Sequence, residues 1–201
     1  MPTTPRFKLP VSKEYAESCL AMAVAANVES RGHSVTTAGD FESCVRQVAA
    51  WATSGSPRHS LMLAGRYGNG KTTFLRALQS LANAFDLKDP VTGRRMRLPL
   101  YSACALTEMH RTGITEWHKV ARSPLLAIDD LGTEPREVME FGNMVAPLRE
   151  LLETRYELCL PTLISTNMAP SEITQRYGNR IGDRMREVME VVRFRNDSYR
   201  R

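Results

Sequence analysis

The chain has 201 residues, 42% of them hydrophobic and 24% charged, with a formal net charge of +5, enough for one sizeable core with a small appendage and too few for two full domains. No run approaches the roughly eighteen apolar residues of a membrane span, the start "MPTTPRFKLP" lacks the apolar run of a signal peptide, and the cysteines (Cys19, Cys44, Cys104, Cys159) show no CxxC or metal-ligand spacing. The expectation is a soluble, cytoplasmic protein with reduced, mostly buried thiols and no zinc site, whose basic balance suits nucleic acid without demanding it.

In chain order, residues 1–10 carry three prolines and read as an extended, poorly ordered arm. Residues 12–31 read as a helix starting at Ser12 and closed by Gly32. Asp40 is the expected N-cap of a second helix, with Phe41, Cys44, Val45, Val48 and Trp51 along one face and "SGSP" (54–57) ending it. From there short apolar runs alternate with amphipathic helices, the signature of a layered α/β sheet.

"SLMLAG" (60–65) reads as a buried parallel strand, followed by a helix from Lys71 to Phe85 with Phe74, Leu75, Leu78, Leu81, Ala82 and Phe85 on one face. "LPLYSA" (98–103), "LLAIDD" (125–130) and "LCLPTLISTN" (158–167) are three more candidate strands, and "VMEVVRF" (188–194) a fifth. Arg136 to Glu157 reads as helical, with Pro147 kinking or splitting it.

"GRYGNGKTT" (65–73) decides the chemistry. Gly65, four residues, Gly70, Lys71 and Thr72 match the phosphate-binding loop G-x-x-x-x-G-K-[ST], between a predicted strand and a predicted helix as the mechanism requires. Glycines let the backbone turn its N–H groups onto phosphates, and the helix N-terminus adds favourable partial charge. Lys71 would then reach the β- and γ-phosphates of ATP, and the Thr72 hydroxyl would bind Mg²⁺.

A phosphate loop alone names no reaction, so a carboxylate site is needed. Asp129, ending the apolar run of "LLAIDD", is placed to hold the water shell of Mg²⁺, and Asp130 to orient or deprotonate an attacking water. The second acid in such enzymes is more often Glu, so Asp130 is expected to be a slow base, with Glu134 a weaker candidate. Asn167, closing "ISTN", would reach the γ-phosphate or its water, although an Asn after a strand also serves simply as a turn residue.

With "GRYGNGKTT", "LLAIDDLGTE", "LISTN" and "RYGNRIGDRM" in this order, the chain resembles AAA+ ATPases of the DnaC and IstB-like family over roughly residues 40–201. The resemblance implies a P-loop NTPase fold, a central parallel sheet flanked by helices. It puts Gly65, Gly68, Asn69, Gly70, Lys71, Thr72 and Thr73 in Walker A, Asp129 and Asp130 in Walker B, and Asn167 as sensor 1. It also makes Arg184 the finger that reaches a neighbouring subunit's nucleotide, with Arg180 supporting that interface in a homo-oligomer. Family members often carry a helical lid with a further sensor arginine and a larger N-terminal docking domain. Here the lid is expected to be incomplete, with Arg200 as the one late candidate, and residues 1–39 are left as the docking segment before an ATPase domain at 40–201.

The function implied is that of a slow ATPase loading a replicative DnaB-type helicase onto single-stranded DNA. Rivals are a transposase helper, an ATP-gated binding module with little hydrolysis, and a small-molecule kinase, which the tandem aspartates and the Asn167 and Arg184 sites disfavour. Arg94, Arg95 and Arg97 form a basic cluster that reads equally as a nucleic-acid contact or a solvated loop. His110 and His118 receive no chemistry, and the methionines around 139–144 and 185–189 read as core filling.

Overall fold

The computed structural model of the chain describes residues 7–30, 32, 39–88, 93, 95–140 and 142–195. Its elements are α1 (Lys13–Glu29), α2 (Gly39–Ser54), β1 (Ser60–Gly65), α3 (Lys71–Ala84), β2 (Leu100–Ser102), α4 (Ala103–Thr112), α5 (Ile114–Ala121), β3 (Leu126–Leu131), β4 (Val138–Glu140), β5 (Asn143–Val145), α6 (Pro147–Glu157), β6 (Thr162–Thr166), α7 (Pro170–Tyr177), α8 (Asn179–Val188) and β7 (Met189–Phe194). Five strands form a parallel sheet in the order β2-β3-β6-β1-β7, so that every strand ends at the same edge. Strand alternation splits the core into two layers. Leu61, Leu63, Leu163 and Val192 face α1, α2 and α3 through Leu20, Val24, Val48, Phe74 and Leu78. Met62, Ile128 and Ile164 face the other way, onto Trp117, Leu151, Ile173, Tyr177 and Met185 of α5 to α8.

Ser12 does cap α1, its hydroxyl accepting from the Tyr15 N–H at 3.2 Å. The expected strands all form, three of them shortened to Leu100–Ser102, Thr162–Thr166 and Met189–Phe194. No described helix is long and apolar enough to cross a membrane.

Several expectations are corrected. Residues 7–10 are not a loose arm: Phe7 stacks on Trp51 with centroids 5.1 Å apart, and the Leu9 N–H donates to Ala52 O at 2.7 Å. Two buried apolar side chains outweigh the prolines around them. Asp40 lies inside the first turn of α2 rather than capping it, and its carboxylate accepts the Arg195 N–H at 2.9 Å. The segment expected to be a helix broken at Pro147 is instead an antiparallel hairpin, β4–β5, followed by α6. Pro147 starts that helix, at the position where its missing N–H costs nothing.

Met139 and Met144, expected in the core, face each other across this hairpin and are exposed, whereas Met185 and Met189 are buried. Of the cysteines only Cys44 is buried; Cys104 and Cys159 are exposed. Residues Ala103–Thr112 and Ile114–Ala121, for which no helix was expected, form α4 and α5. There His110 is buried, its Nδ1 2.7 Å from Glu140 Oε1 and its ring edge-on to Trp117, which fastens the hairpin to α4. Arg95 is bound to Asp86 at 3.5 Å and to Asn83 O at 3.1 Å, while Arg94 and Arg200 lie outside the described residues.

Candidate nucleotide site

The site is assembled where β1, β3 and β6, three adjacent strands, end together. β1 runs into Gly65, and the loop closes at Gly70, whose φ of 93° lies in the left-handed region that a side chain disfavours. Gly65 has no room for a side chain either, since a Cβ there would run into the Asn69 amide and the Phe194 carbonyl. The Asn69 amide uses that closeness, donating to Phe194 O at 3.0 Å and so tying the loop to the end of β7.

Lys71, nearly fully buried at the first position of α3, donates from Nζ to Gly65 O at 2.7 Å, Arg66 O at 2.6 Å and Asn69 Oδ1 at 3.0 Å. The loop is thus wrapped around one ammonium group. Thr73, two residues on, is buried on the same helix.

Thr72 and Asp129 are brought together, the hydroxyl donating to Asp129 Oδ1 at 3.0 Å. The same carboxylate oxygen takes the Ser165 hydroxyl at 2.5 Å, and Ser165 Oγ in turn accepts the Asp130 N–H at 2.9 Å. Ser165 therefore fixes both acids, a role not read from "ISTN". The alternation of a strand offered the signal, since residues 165 and 167 share a side. Asp130 holds φ at 54°, a left-handed conformation that costs a non-glycine residue about 1 kcal/mol or more. Its carbonyl is held by the Thr133 N–H at 3.2 Å and the Thr133 hydroxyl at 2.8 Å.

Asn167 stands just past the end of β6 with its amide oxygen buried and without a hydrogen-bond partner among the described residues. Buried polar atoms are normally hydrogen-bonded, and a ligand's water at this sheet edge would complete the bonding of this oxygen. With the glycine cradle and the Thr72–Asp129 pair, it fits a nucleoside triphosphate and a hard divalent cation. Such a cation would be held by one hydroxyl and one carboxylate with phosphate oxygens completing its shell, the usual arrangement for Mg²⁺. Among the described residues no group of three or more His, Cys, Asp or Glu offers an alternative cage.

Glu134 does not serve as a base. It is 3% exposed, and its Oε2 accepts the Gly132 N–H at 2.9 Å. Its Oε1 accepts from Arg176 Nε at 3.2 Å and from the Tyr177 hydroxyl in a short bond, and its carbonyl accepts from Arg176 Nη2. Burial first, then the adjacent carboxylate, push the Tyr177 hydroxyl well above its usual range, so it stays a proton donor. Arg176 and Tyr177 were not singled out in the sequence, being more than 40 residues from Glu134.

Arg184 and Arg180 lie at the other end of the sheet. Arg184 borders a small cavity with His59, Ser60 and Thr162, where β1 and β6 begin. Its guanidinium carbon sits 4.4 Å above the Tyr156 ring centroid, and Nη2 is 3.5 Å from Glu157 Oε1. Arg180 is two-thirds exposed and 3.7 Å from the same carboxylate oxygen. Neither arginine joins the cluster around Lys71 within one copy of the chain.

The sequence matches no family model and no curated protein sequence. Solved structures do resemble it. The crystal structure of DnaI superposes with a TM-score of 0.61 at 16% identity, covering 98% of this chain and 97% of that one. A candidate primosome component from Streptococcus pyogenes serotype M3 gives a TM-score of 0.58 at 20% identity, covering 84% and 86%. Domain III of the Thermotoga maritima replication initiation protein DnaA gives 0.55 at 16% identity, covering 92% and 69%. The chain therefore shares the fold of these proteins, an α/β architecture with a parallel sheet flanked by helices.

Proposed function

We propose that this chain is a DNA-replication ATPase of the DnaC/IstB-like family, acting as a loader of a DnaB-type replicative helicase. The observation that carries the reading is the convergence of Lys71, Thr72, Asp129, Asp130 and Asn167 on one sheet edge, with the Asn167 oxygen unpartnered among the described residues. The likeness to replication proteins supports it.

In this reading the amides of residues 65–72 and the Lys71 ammonium hold the β- and γ-phosphates of ATP, and Thr72 and Asp129 would hold Mg²⁺. When bound, Mg²⁺ neutralises charge on the phosphate oxygens. Asp130 orients and deprotonates the attacking water, and the Asn167 amide aligns that water. Asp130 is one methylene shorter than the usual Glu, so turnover is slow and waits on DNA or a partner. Arg184, supplied by a second copy and supported by Arg180, stabilises charge on the γ-phosphate.

Residues 40–201 form the ATPase domain, and residues 1–39 are the docking segment, with Tyr15 and Met22 exposed on α1. The protein works in the cytoplasm as a homo-oligomer on single-stranded DNA. Attack of water on the γ-phosphorus breaks the bond to the β-phosphate oxygen, giving ADP, phosphate and a proton, and this step releases the client.

The test is steady-state ATP turnover by the full chain with single-stranded DNA and the host's replicative helicase, against Asp130→Asn as control. Stimulated turnover lost in the control and retention of the helicase support the loader. Retention of a transposase instead would make the chain a transposition helper, and binding of DNA only with ATP but no turnover would make it a gated module.

A further inference from the structure

The Glu134 cluster is a buried ionic and hydrogen-bonded knot that the hydrolytic reading leaves without a task. Its carboxylate is 99% buried as a side chain, and the Arg176 side chain it faces is 14% exposed. Such a pair is costly to desolvate, and removal of either partner strands the other as a buried charge.

Its two ends touch different parts of the molecule. On one side the Gly132 N–H binds Glu134 Oε2, which fixes the turn directly after Asp130. Gly132 itself has φ of 105° and no space for a Cβ beside the Met168 thioether, so this turn and the segment after Asn167 interlock. On the other side Arg176 and Tyr177 form the last turn of α7.

Helix α7 is in turn locked to α8. A Cβ on Gly182 would collide with the Thr174 hydroxyl, so the two helices approach to backbone distance, and one residue, Gly178 at φ 94°, joins them. Helix α8 carries Arg180 and Arg184. A continuous packed path thus runs from Asp130 through Gly132, Glu134 and α7 to the arginine-bearing helix.

We propose that Glu134 is a positioning residue that couples the turn carrying Asp130 to the α7–α8 pair, so that a shift of α8 against a neighbouring copy re-aims Asp130. The kinetic part of this rests on the ATPase reading above; the mechanical coupling does not. Glu134→Gln keeps the size of the side chain and the acceptor for Gly132 but loses the charge that holds Arg176. Arg176→Met breaks the same tie from the helix side and keeps the buried stem.

Amide hydrogen exchange on the full chain without nucleotide tests the coupling. In both variants the amides of 130–134 and of 179–188 should exchange faster together, by about ten-fold or more, while β1 and β6 keep their protection. Loosening confined to one of the two segments overturns the proposal. So does a uniform loss of protection across the sheet, which would make the knot an ordinary strut.

Turnover adds a second readout. Under the ATPase reading both variants lower kcat about ten-fold at nearly unchanged KM for ATP, because the water-orienting acid is misplaced while the phosphate loop is untouched. A rise in KM with kcat unchanged overturns the kinetic part. Wild-type protein without any turnover sinks the ATPase reading alone, and the exchange result still decides the coupling.

Discussion

Ser165 and Thr72 donate to the same oxygen of Asp129, at 2.5 and 3.0 Å, and so hold that carboxylate from two different elements, β6 and α3. Ser165 also receives the Asp130 N–H at 2.9 Å, which makes one hydroxyl responsible for the aim of both acids. Ser165→Ala is expected to lower kcat by about ten-fold, the scale of one misaligned charge-assisted hydrogen bond, with nucleotide affinity nearly unchanged. Single-turnover ATP hydrolysis beside a fluorescent-nucleotide titration checks this. A matched fall in affinity would place the role of Ser165 in binding instead.

Arg184 is expected to act on a neighbour's nucleotide. Arg184→Ala should leave ATP affinity within about two-fold and lower DNA-stimulated turnover by about a thousand-fold or more, the low side of what an arginine finger supplies. Mixing Arg184→Ala with Lys71→Ala protein is the decisive measurement. Each copy is inactive alone, and a mixture regains turnover only if the arginine of one serves the loop of the other.

Arg155 is a stability determinant. Its side chain is 1% exposed and gives hydrogen bonds to Thr162 Oγ1 at 2.7 Å, Ala121 O at 3.0 Å, Ser123 O at 2.9 Å and Pro161 O at 2.7 Å. These bonds staple the turn before β6 to the turn before β3. Arg155→Ala leaves several buried acceptors unpaired and should cost about 3 kcal/mol or more. Urea unfolding reads it as a lower midpoint at similar slope.

Cys44 links the core to pH. Burial first, then the nearby Asp40 carboxylate, push its thiol up to about 12. The folded state then holds a proton that the unfolded state gives up near the ordinary thiol range of about 8.5. Cys44 therefore contributes stability that is fully present below that range and is lost as pH rises towards 12. The unfolding midpoint should fall on the alkaline side more steeply in wild type than in Cys44→Ala. Native alkylation at pH 8 should label Cys104 and Cys159 and spare Cys44.

Much of this arrangement can be read from local patterns. Parallel strands buried on both faces announce themselves as apolar runs, and "GRYGNGKTT" and "LLAIDD" place Lys71, Thr72, Asp129 and Asp130 because strand polarity brings their ends to one edge. Residues 138–145 misled, since Val138, Val145 and Leu148 fall at helical spacing and only the turn at Gly142, φ 83°, distinguishes a hairpin. His110 was passed over because the charged residues beside it, Glu108 and Arg111, face solvent while it turns inward to Glu140 and Trp117. The Glu134 knot joins segments more than 40 residues apart, and no local pattern marks which acid in "DDLGTE" will be turned inward.

The separation of Lys71 and Arg184 to opposite sheet edges carries an arithmetic of its own. A contact that brings one copy's arginine edge to the next copy's phosphate edge is head to tail, and it never satisfies both edges within a pair. An open spiral of n copies then completes n − 1 sites and leaves one bare phosphate edge and one unused arginine at its ends. Closing the spiral into a ring adds the last site, so the ratio of working sites to subunits reports whether the assembly is shut.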